Sequence, residues 1–229
     1  MSFDRLAPHY RWMEWLLAGN KLQRCRTAFL PEVRNTTRVL SLGEGNGRFL
    51  NAFTRINPTA EITIVDSSER MLQQAQRRAS LCRSASLPIQ FVHADIFTWK
   101  FPSETFDLIV TNFFLDCFRA DQIAVLVPRI AAASTARAQW LISDFRLPAR
   151  GPTAWRARWI VGAMYRFFRI VTGISASTLT PADSILERSH FQLGERRVSE
   201  WGLLHADRWQ RHAGGDAVKF DCRTSQGSR

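Results

Sequence analysis

Apolar runs alternate with helix-like stretches through the middle of the chain. The runs are rich in β-branched and aromatic residues and predict buried strands. The alternation indicates parallel strands joined by right-handed helical crossovers, and therefore an α/β fold. The predicted order is strand 39–42, helix 48–56, strand 62–65, helix 69–79, strand 89–93, strand 106–112, helix 121–132 with a kink at Pro128, and strand 138–143.

Both ends of the chain are predicted to add elements to this core. Residues 1–34 predict a helical cap in two parts, the second of which, Leu22–Leu30, stops at Pro31. We expect a single domain over 1–211. Its parts are the cap at 1–34, the core at 35–145, a helical insertion at 146–183, a C-terminal helix (184–189) and hairpin (191–199 and 204–210) within 184–211, and then a mobile tail at 212–229.

The first predicted strand ends in three glycines spaced by single residues, Gly43, Gly45 and Gly47. A helix follows at once, and the next strand ends in Asp66, 23 positions after Gly43. Glycines let a backbone pass close to a ligand, and an acidic side chain at the next strand tip accepts hydrogen bonds from ribose hydroxyls. The pattern predicts a nucleoside site. A dinucleotide is disfavoured, because Arg48 occupies the place of the last glycine in G-x-G-x-x-G.

The segment Val39–Gly47 resembles the first motif of the class I S-adenosylmethionine-dependent methyltransferases. The opening segment Phe3–Tyr10 is similar to the N-terminal segment of the ubiquinone and menaquinone C-methyltransferase group, which implies that Tyr10 lines the cofactor site, with a packing helix as the alternative. His93–Ile96 and Phe106–Asn112 are similar to the class I family's adenine-contacting segment and fourth strand. The resemblance implies a Rossmann-like, doubly wound, seven-stranded sheet, mostly parallel with an antiparallel C-terminal hairpin strand. It also implies S-adenosyl-L-methionine as cofactor and S-adenosyl-L-homocysteine as product. The implied cofactor-binding residues are Tyr10, Ser41, Gly43, Glu44, Gly45, Gly47, Asp66, Ser67, Met71, Asp95, Ile96, Asn112 and Phe113.

One position departs from the family pattern. The family usually has an acidic residue where this chain has Ser41, and that residue helps to hold the methionine amino group of the cofactor. The nearest carboxylate in this chain is Glu44, inside the glycine-rich turn. Either Glu44 makes the contact instead, or a water-mediated contact from Ser41 suffices.

Polar residues also end the other predicted strands. Asp66, Asp95, Asn112 and Asp144 stand at the carboxyl ends of strands, where open α/β sheets bind ligands, so we expect them to converge on one cleft. Each also has a structural alternative. Asp66 has capping-box spacing to Glu69, Asp95 suits a turn, and the other two suit loop hydrogen bonds.

An apolar acceptor site is predicted beside the cofactor. The fourth strand continues into Asn112-Phe113-Phe114, where amino-methyltransferases of adenine, cytosine or glutamine typically have an N-P-P-Y type sequence. This difference disfavours a planar amine as acceptor and indicates an aromatic wall, with core packing as the alternative for these rings and Phe118. The predicted substrate residues are Phe114, Arg146, Trp159, Arg166 and Arg169, and the candidate catalytic bases are Asp116, His9 and Asp144.

The stretch between the last core strand and the C-terminal helix differs in composition from the rest. From Arg146 to Ala182 it contains six arginines and no acidic residue, and residues 154–171 predict an amphipathic helix. Three interpretations remain open for it: a lid over the acceptor, an interfacial helix making weak contact with a membrane surface, or a packing helix.

Composition narrows the function classes further. The net charge of +11 suits nucleic acid, but 28 of the 31 basic residues are arginine, which a genomic bias also produces. The four separated cysteines indicate free thiols in a reducing compartment, and the five histidines show no short metal-ligand spacing. No apolar stretch reaches the length of about 18 residues that a transmembrane helix needs. A cytoplasmic protein without a metal site is therefore expected.

These features together predict an enzyme that transfers a methyl group to an oxygen or carbon of a small, aromatic or lipophilic acceptor. The alternatives are an RNA methyltransferase and a protein that binds S-adenosylmethionine without transferring its methyl group. The oligomeric state does not follow from the sequence.

Overall fold

The computed structural model describes residues 20–81, 89–146 and 181–212. The predictions made for residues 1–19, for most of the helical insertion and for the tail beyond residue 212 lie outside these ranges. Within the described residues, no helix has both the length and the apolar character that crossing a membrane requires.

Seven strands form one sheet, which confirms the predicted fold class. Strands β1 to β5 pair in parallel, whereas β7 runs antiparallel to both of its neighbours, β5 and β6. The spatial order is β3-β2-β1-β4-β5-β7-β6. It reverses direction between β1 and β4, the switch point at which such sheets bind ligands. The strands are β1 (Arg38–Leu42), β2 (Glu61–Asp66), β3 (Ile89–His93), β4 (Phe106–Asn112), β5 (Ser134–Phe145), β6 (Phe191–Ser199) and β7 (Leu204–Arg211).

The helices largely match the predicted positions. They are α1 (Lys21–Arg26), α2 (Arg48–Ile56), α3 (Glu69–Leu81), α4 (Ala120–Ala132) and α5 (Asp183–Arg188). Helix α1 is shorter than expected, because it ends at Arg26 and does not reach Leu30. The Thr27 hydroxyl donates to the Gln23 carbonyl over 2.8 Å, and the Leu30 amide bonds only three residues back, to Thr27. The last turn therefore tightens and the α-helical pattern stops.

Helices cover both faces of the sheet. Helices α1, α2 and α3 pack on one face, around Phe29, Phe49, Phe53, Leu72 and Leu108. Helices α4 and α5 pack on the other, around Ile123, Leu126, Leu186, Trp140 and Trp209. We call these the α1–α3 face and the α4–α5 face. Apolar burial on both faces explains why the core strands have nearly continuous apolar sequences.

Strand β5 has 12 residues, twice the predicted length. It pairs with β4 on one side and with β7 on the other. This pairing keeps the two ends of β5 in the sheet, although the sequence at these ends is less apolar than in the middle. Because β7 is antiparallel, its first residues lie at the same edge as the last residues of β1, β2, β4 and β5. That edge contains the predicted site.

Candidate cofactor and active site

The turn after β1, residues 43–47, is the glycine loop of this site. Gly43, Gly45 and Gly47 have positive φ angles of 64°, 65° and 79°, a backbone conformation that favours glycine. The Gly43 amide donates to the Val65 carbonyl over 2.9 Å, which ties the start of the loop to β2. Helix α2 begins directly after Gly47. The predicted strand, turn and helix are therefore present.

Two of these glycines are required by packing within the protein, and not only by the close approach of a ligand. A Cβ on Gly43 would lie 2.3 Å from Cδ2 of Phe114, and one on Gly47 would lie 2.9 Å from Cα of Ala75 in α3. Because Gly43 has no Cβ, the Phe114 ring can pack against the loop. Because Gly47 has no Cβ, α3 can lie close to the loop. Phe114, predicted as a substrate residue, is held beside the glycine loop.

Glu44 reaches back to the tip of β1. Its Oε2 accepts a hydrogen bond from the Ser41 hydroxyl at 2.8 Å, and its Oε1 accepts one from the Leu50 amide in the first turn of α2 at 2.8 Å. Burial raises the pKa of the Glu44 carboxyl, against the effect of these bonds and of the nearby Arg26 charge. A carboxylate therefore occupies the space over Ser41, which favours the first of the two alternatives stated for this position.

Asp66 joins the tip of β2 to the glycine loop. Its Oδ1 accepts from the Ser68 amide at 2.9 Å and its Oδ2 from the Gly45 amide at 3.3 Å. The cap of α3 is Ser68, whose hydroxyl accepts from the Met71 amide at 3.3 Å. The interpretation of Asp66 as the helix cap is therefore wrong, since Ser68 has that role.

The other residues predicted to bind the cofactor near β2 and β3 differ in exposure. Ile96 and Met71 are buried, whereas Ser67 is exposed. Asp95 is also exposed, and its Oδ1 accepts from the Phe97 amide at 2.9 Å, so it does start a turn as its structural alternative proposed. A contact of Asp95 with the cofactor stays a prediction.

Asn112 at the tip of β4 is the clearest sign of a binding site. It is only 8% exposed, and neither its Oδ1 nor its Nδ2 has a hydrogen-bond partner among the described residues. A buried amide without partners costs about 1 to 3 kcal/mol, so native proteins rarely keep one unless something binds there. The amide supplies both a donor and an acceptor for a polar ligand.

Phe113 follows in a left-handed conformation, with φ of 53°. Its amide donates to the Ser143 carbonyl over 2.6 Å, which holds this conformation at the end of the β4–β5 pair. The ring lies 5.1 Å from that of Phe145, and the guanidinium of Arg26 lies 5.0 Å from its centroid. Such backbone strain, about 1 to 3 kcal/mol, is typical of functional sites. Arg26 is a further residue here that sequence reasoning missed.

Two of the three candidate bases lie at the tips of β4 and β5. Burial raises the pKa of Asp116 to about 6, while hydrogen bonding from Cys117 and the charge of His205 act to lower it. Burial also raises the pKa of Asp144 well above its ordinary value, and the Asp116 charge adds to this. The Cys117 thiol lies 3.6 Å from Asp116 Oδ1. Two neighbouring carboxyls with different environments favour opposite protonation states.

Other predicted residues are placed differently. His9, Tyr10, Trp159, Arg166 and Arg169 lie outside the described residues. Arg146 is exposed at the end of β5, and its amide donates to the Leu203 carbonyl over 2.8 Å. Within residues 20–81, 89–146 and 181–212, no three His, Cys, Asp or Glu side chains are grouped so that they could hold a metal.

Comparison with known proteins connects this geometry to a family. A family model described as a methyltransferase domain matches residues 39–135, from β1 to the start of β5. The ubiquinone/menaquinone biosynthesis C-methyltransferase UbiE of Pseudomonas entomophila is 33% identical over 114 residues, which are 48% of this chain and 44% of that protein. The chain thus spans less than half the length of this curated relative.

Solved structures share the fold at low sequence identity. The mitomycin 7-O-methyltransferase MmcR matches 92% of this chain and 61% of its own at 15% identity, with a TM-score of 0.68. The magnesium protoporphyrin IX methyltransferase of Synechocystis, solved with S-adenosylhomocysteine bound, matches 83% and 81% at 15% identity, with a TM-score of 0.60. The family model and this fold confirm the resemblance seen in the glycine motif. Residues 39–135 therefore match a methyltransferase domain, and the sequence and fold comparisons together support a class I S-adenosylmethionine-dependent methyltransferase.

Proposed function

We propose that this protein binds S-adenosylmethionine between the glycine loop and the tip of β4, and transfers its methyl group to an oxygen or carbon of a small acceptor. The observation that carries the proposal is the buried Asn112 amide, whose two polar atoms lack partners among the described residues. It lies at the sheet's switch point, in a chain of this family. A nucleoside with adjacent hydroxyl and amino groups would satisfy such an amide.

The residues present fit this cofactor. The glycine loop provides a turn with three positive φ angles, and Asp66 stands at the tip of β2 where it can meet a ribose. The Glu44 carboxylate over Ser41 suits the ammonium of a methionine moiety. Ile96 and Met71 supply apolar surface at the adenine side.

The cofactor supplies an activated methyl group on a sulfonium, so the protein's own task is to align the acceptor and remove its proton. Alignment alone lowers such a barrier by about 7 to 11 kcal/mol. Two aromatic rings follow the tip of β4: Phe114 lies over Gly43 and packs with the α4–α5 face, whereas Phe113 packs with the α1–α3 face and its amide bonds the Ser143 carbonyl. Asp116, with a pKa of about 6, is ionised at neutral pH and is the described base best suited to take a proton.

The acceptor class that best fits is a flat, apolar molecule with a phenol, quinol or enol group. The Phe114 ring beside the glycine loop supports it, and two of the similar proteins are named for ubiquinone or menaquinone biosynthesis and for mitomycin. We propose that residues 146–183 form a lid over this acceptor, with Trp159, Arg166 and Arg169 in contact with it. Replacing both arginines with Gln should then raise the acceptor's Michaelis constant and leave cofactor affinity unchanged. A membrane-surface helix would instead lose binding to anionic vesicles.

Calorimetric titration with S-adenosylhomocysteine and NAD tests the cofactor. We expect S-adenosylhomocysteine to bind more tightly, and tighter binding of NAD would overturn the proposal. Labelled S-adenosylmethionine, incubated with the protein and either a metabolite extract or total RNA, then tests the transfer. Label in a small aromatic product supports the proposal, label in RNA supports the RNA alternative, and binding without any labelled product supports a protein that does not transfer the methyl group.

A further inference from the structure

Helix α1 directs Arg26 toward the glycine loop. Gln23 and Arg26 are three residues apart in this helix, so their side chains are neighbours on one side of it. The Gln23 amide donates to the Arg48 carbonyl over 3.1 Å, and Arg48 is the first residue of α2, directly after the loop. The Arg26 side chain therefore extends from the side of α1 that faces the loop.

The tips of β4 and β5 hold Arg26 from a second direction. The carbonyl of Cys25 accepts a hydrogen bond from the Ser143 hydroxyl of β5 over 3.3 Å. The Arg26 guanidinium lies 5.0 Å from the ring centroid of Phe113, the residue that follows β4. Arg26 as a whole is only 7% exposed. A buried guanidinium is thus held beside the tip of β4, on the side of the glycine loop.

Strand register brings several polar side chains to the same face of the sheet as α1. Ser41 pairs with Val110, and Asn112 pairs with Ser143. Paired residues and residues two apart share a face, so these side chains all lie on the α1–α3 face, where Val110 is buried. Glu44 joins them, because its Oε2 bonds the Ser41 hydroxyl. This side of the cleft therefore contains a carboxylate and an unsatisfied amide next to the helix that supplies the guanidinium.

This set of groups suits an amino acid. An amino-acid zwitterion has an ammonium and a carboxylate on the same carbon atom. A guanidinium binds a carboxylate through two parallel hydrogen bonds, and a carboxylate accepts hydrogen bonds from an ammonium. A buried charge without a partner is costly, so a ligand that brings both charges satisfies a buried guanidinium and a buried carboxylate together.

We propose that Arg26 binds the carboxylate of the cofactor's methionine moiety, so that Arg26 and Glu44 together form a site for an amino-acid zwitterion. The inference rests on the proposed binding of S-adenosylmethionine. It makes Arg26 the residue that selects the intact cofactor over its decarboxylated form. The Phe113 ring then has a role in cofactor binding as well, because it packs against the guanidinium and keeps it directed at the cleft.

Calorimetric titration with two ligands that differ only in the carboxylate tests the inference. S-adenosylhomocysteine has both charges, whereas decarboxylated S-adenosylhomocysteine keeps the ammonium and lacks the carboxylate. The unaltered protein should bind the first ligand roughly 10- to 150-fold more tightly, which is the range expected for hydrogen bonds to a charged group. In Arg26→Gln, the affinity for S-adenosylhomocysteine should fall by a factor in this range. The affinity for the decarboxylated ligand should not fall, because the ammonium is no longer repelled by the guanidinium.

Three further variants make the comparison specific. Arg26→Lys keeps the charge without the fork of donors, so its preference for the carboxylated ligand should be smaller than in the unaltered protein and larger than in Arg26→Gln. Glu44→Gln should weaken both ligands, since both contain the ammonium. Arg24→Gln is the matched control, because Arg24 is exposed on the same helix, and it should change neither affinity. Thermal unfolding shows which variants are folded.

Equal weakening of the two ligands in the folded Arg26 variants would overturn the inference, since the guanidinium would then act on the shape of the cleft and not on the carboxylate. Unchanged affinity for S-adenosylhomocysteine with a raised Michaelis constant for the acceptor would also overturn it, and would place Arg26 at the acceptor. If the unaltered protein binds neither ligand, the proposed function fails. If it binds both equally tightly, cofactor binding stands and only the role of Arg26 is refuted.

Discussion

Replacing Glu44 with Gln separates two roles of this side chain. In the structure, its carboxylate accepts one hydrogen bond from the Ser41 hydroxyl and one from the Leu50 amide. A Gln at this position keeps both bonds, because its oxygen accepts from Leu50 and its NH₂ donates to the Ser41 oxygen. The free energy of unfolding should therefore change by less than about 1 kcal/mol. What the variant loses is the negative charge.

The lost charge should weaken only ligands that bear the methionine ammonium. A hydrogen bond to a charged group contributes about 1.5 to 3 kcal/mol, which corresponds to roughly 10- to 150-fold in the dissociation constant. S-adenosylhomocysteine contains the ammonium and 5′-methylthioadenosine lacks the whole amino-acid moiety. We expect a loss in this range for the first ligand and a change of less than about twofold for the second.

Isothermal titration of both ligands gives the comparison, with Glu187→Gln on the exposed surface of α5 as the control variant. Because burial raises the pKa of Glu44, affinity for S-adenosylhomocysteine should also fall on acidification earlier than an ordinary carboxylate would allow. Equal losses for the two ligands would refute the reasoning and show that Glu44 acts only by shaping the glycine loop. Unchanged affinity for both ligands would instead favour the other alternative, in which Ser41 contacts the methionine ammonium through a water molecule.

Two further predictions concern the same loop. Asp66→Ala should weaken both S-adenosylhomocysteine and 5′-methylthioadenosine by about 1 to 3 kcal/mol, since both contain the ribose, and calorimetry showing unchanged affinity would leave Asp66 with only its loop hydrogen bonds. Gly43→Ala should lower the free energy of unfolding by about 1 to 3 kcal/mol in urea, because the new Cβ meets Phe114 and the φ of 64° is strained. A matched Ala52→Gly variant in α2 should lose only about 1 kcal/mol, and equal losses would show that Phe114 moves aside at little cost.

The core strands were predictable because strands buried on both faces have nearly continuous apolar sequences. β3 and β4 match their predicted bounds, β1 begins one residue earlier than predicted, and β2 is one residue longer at each end. The length of β5 was not predictable in the same way. Its first residue, Ser134, pairs with Phe106 of β4 and accepts a hydrogen bond from Arg211 at its hydroxyl over 2.9 Å. Its last two residues, Asp144 and Phe145, pair with β7, and none of these interactions appears in a local pattern.

The same distinction between local patterns and contacts between elements applies to the candidate site. Local motifs gave the glycine loop, Asp66 and Asn112, since each stands at the end of a recognisable strand. The left-handed Phe113 and the insertion of Phe114 over Gly43 depend on contacts between β4 and other elements. His205 and Asp207 are two residues apart in the predicted strand 204–210, so their side chains lie on one face. Their partners depend on strand register, which the sequence does not show.

The position of β7 has a consequence for how the protein is made. This strand is the last in the chain order described, yet it lies inside the sheet, between β5 and β6. On the ribosome, β5 therefore keeps one edge unpaired until residues 204–211 have been synthesised and have left the exit tunnel. An open edge of this kind is a site where nascent chains can associate wrongly, and pairing between strands so far apart in sequence is slow. The sheet can therefore close only after residues 204–211 have left the exit tunnel, and until then β5 presents an unpaired edge.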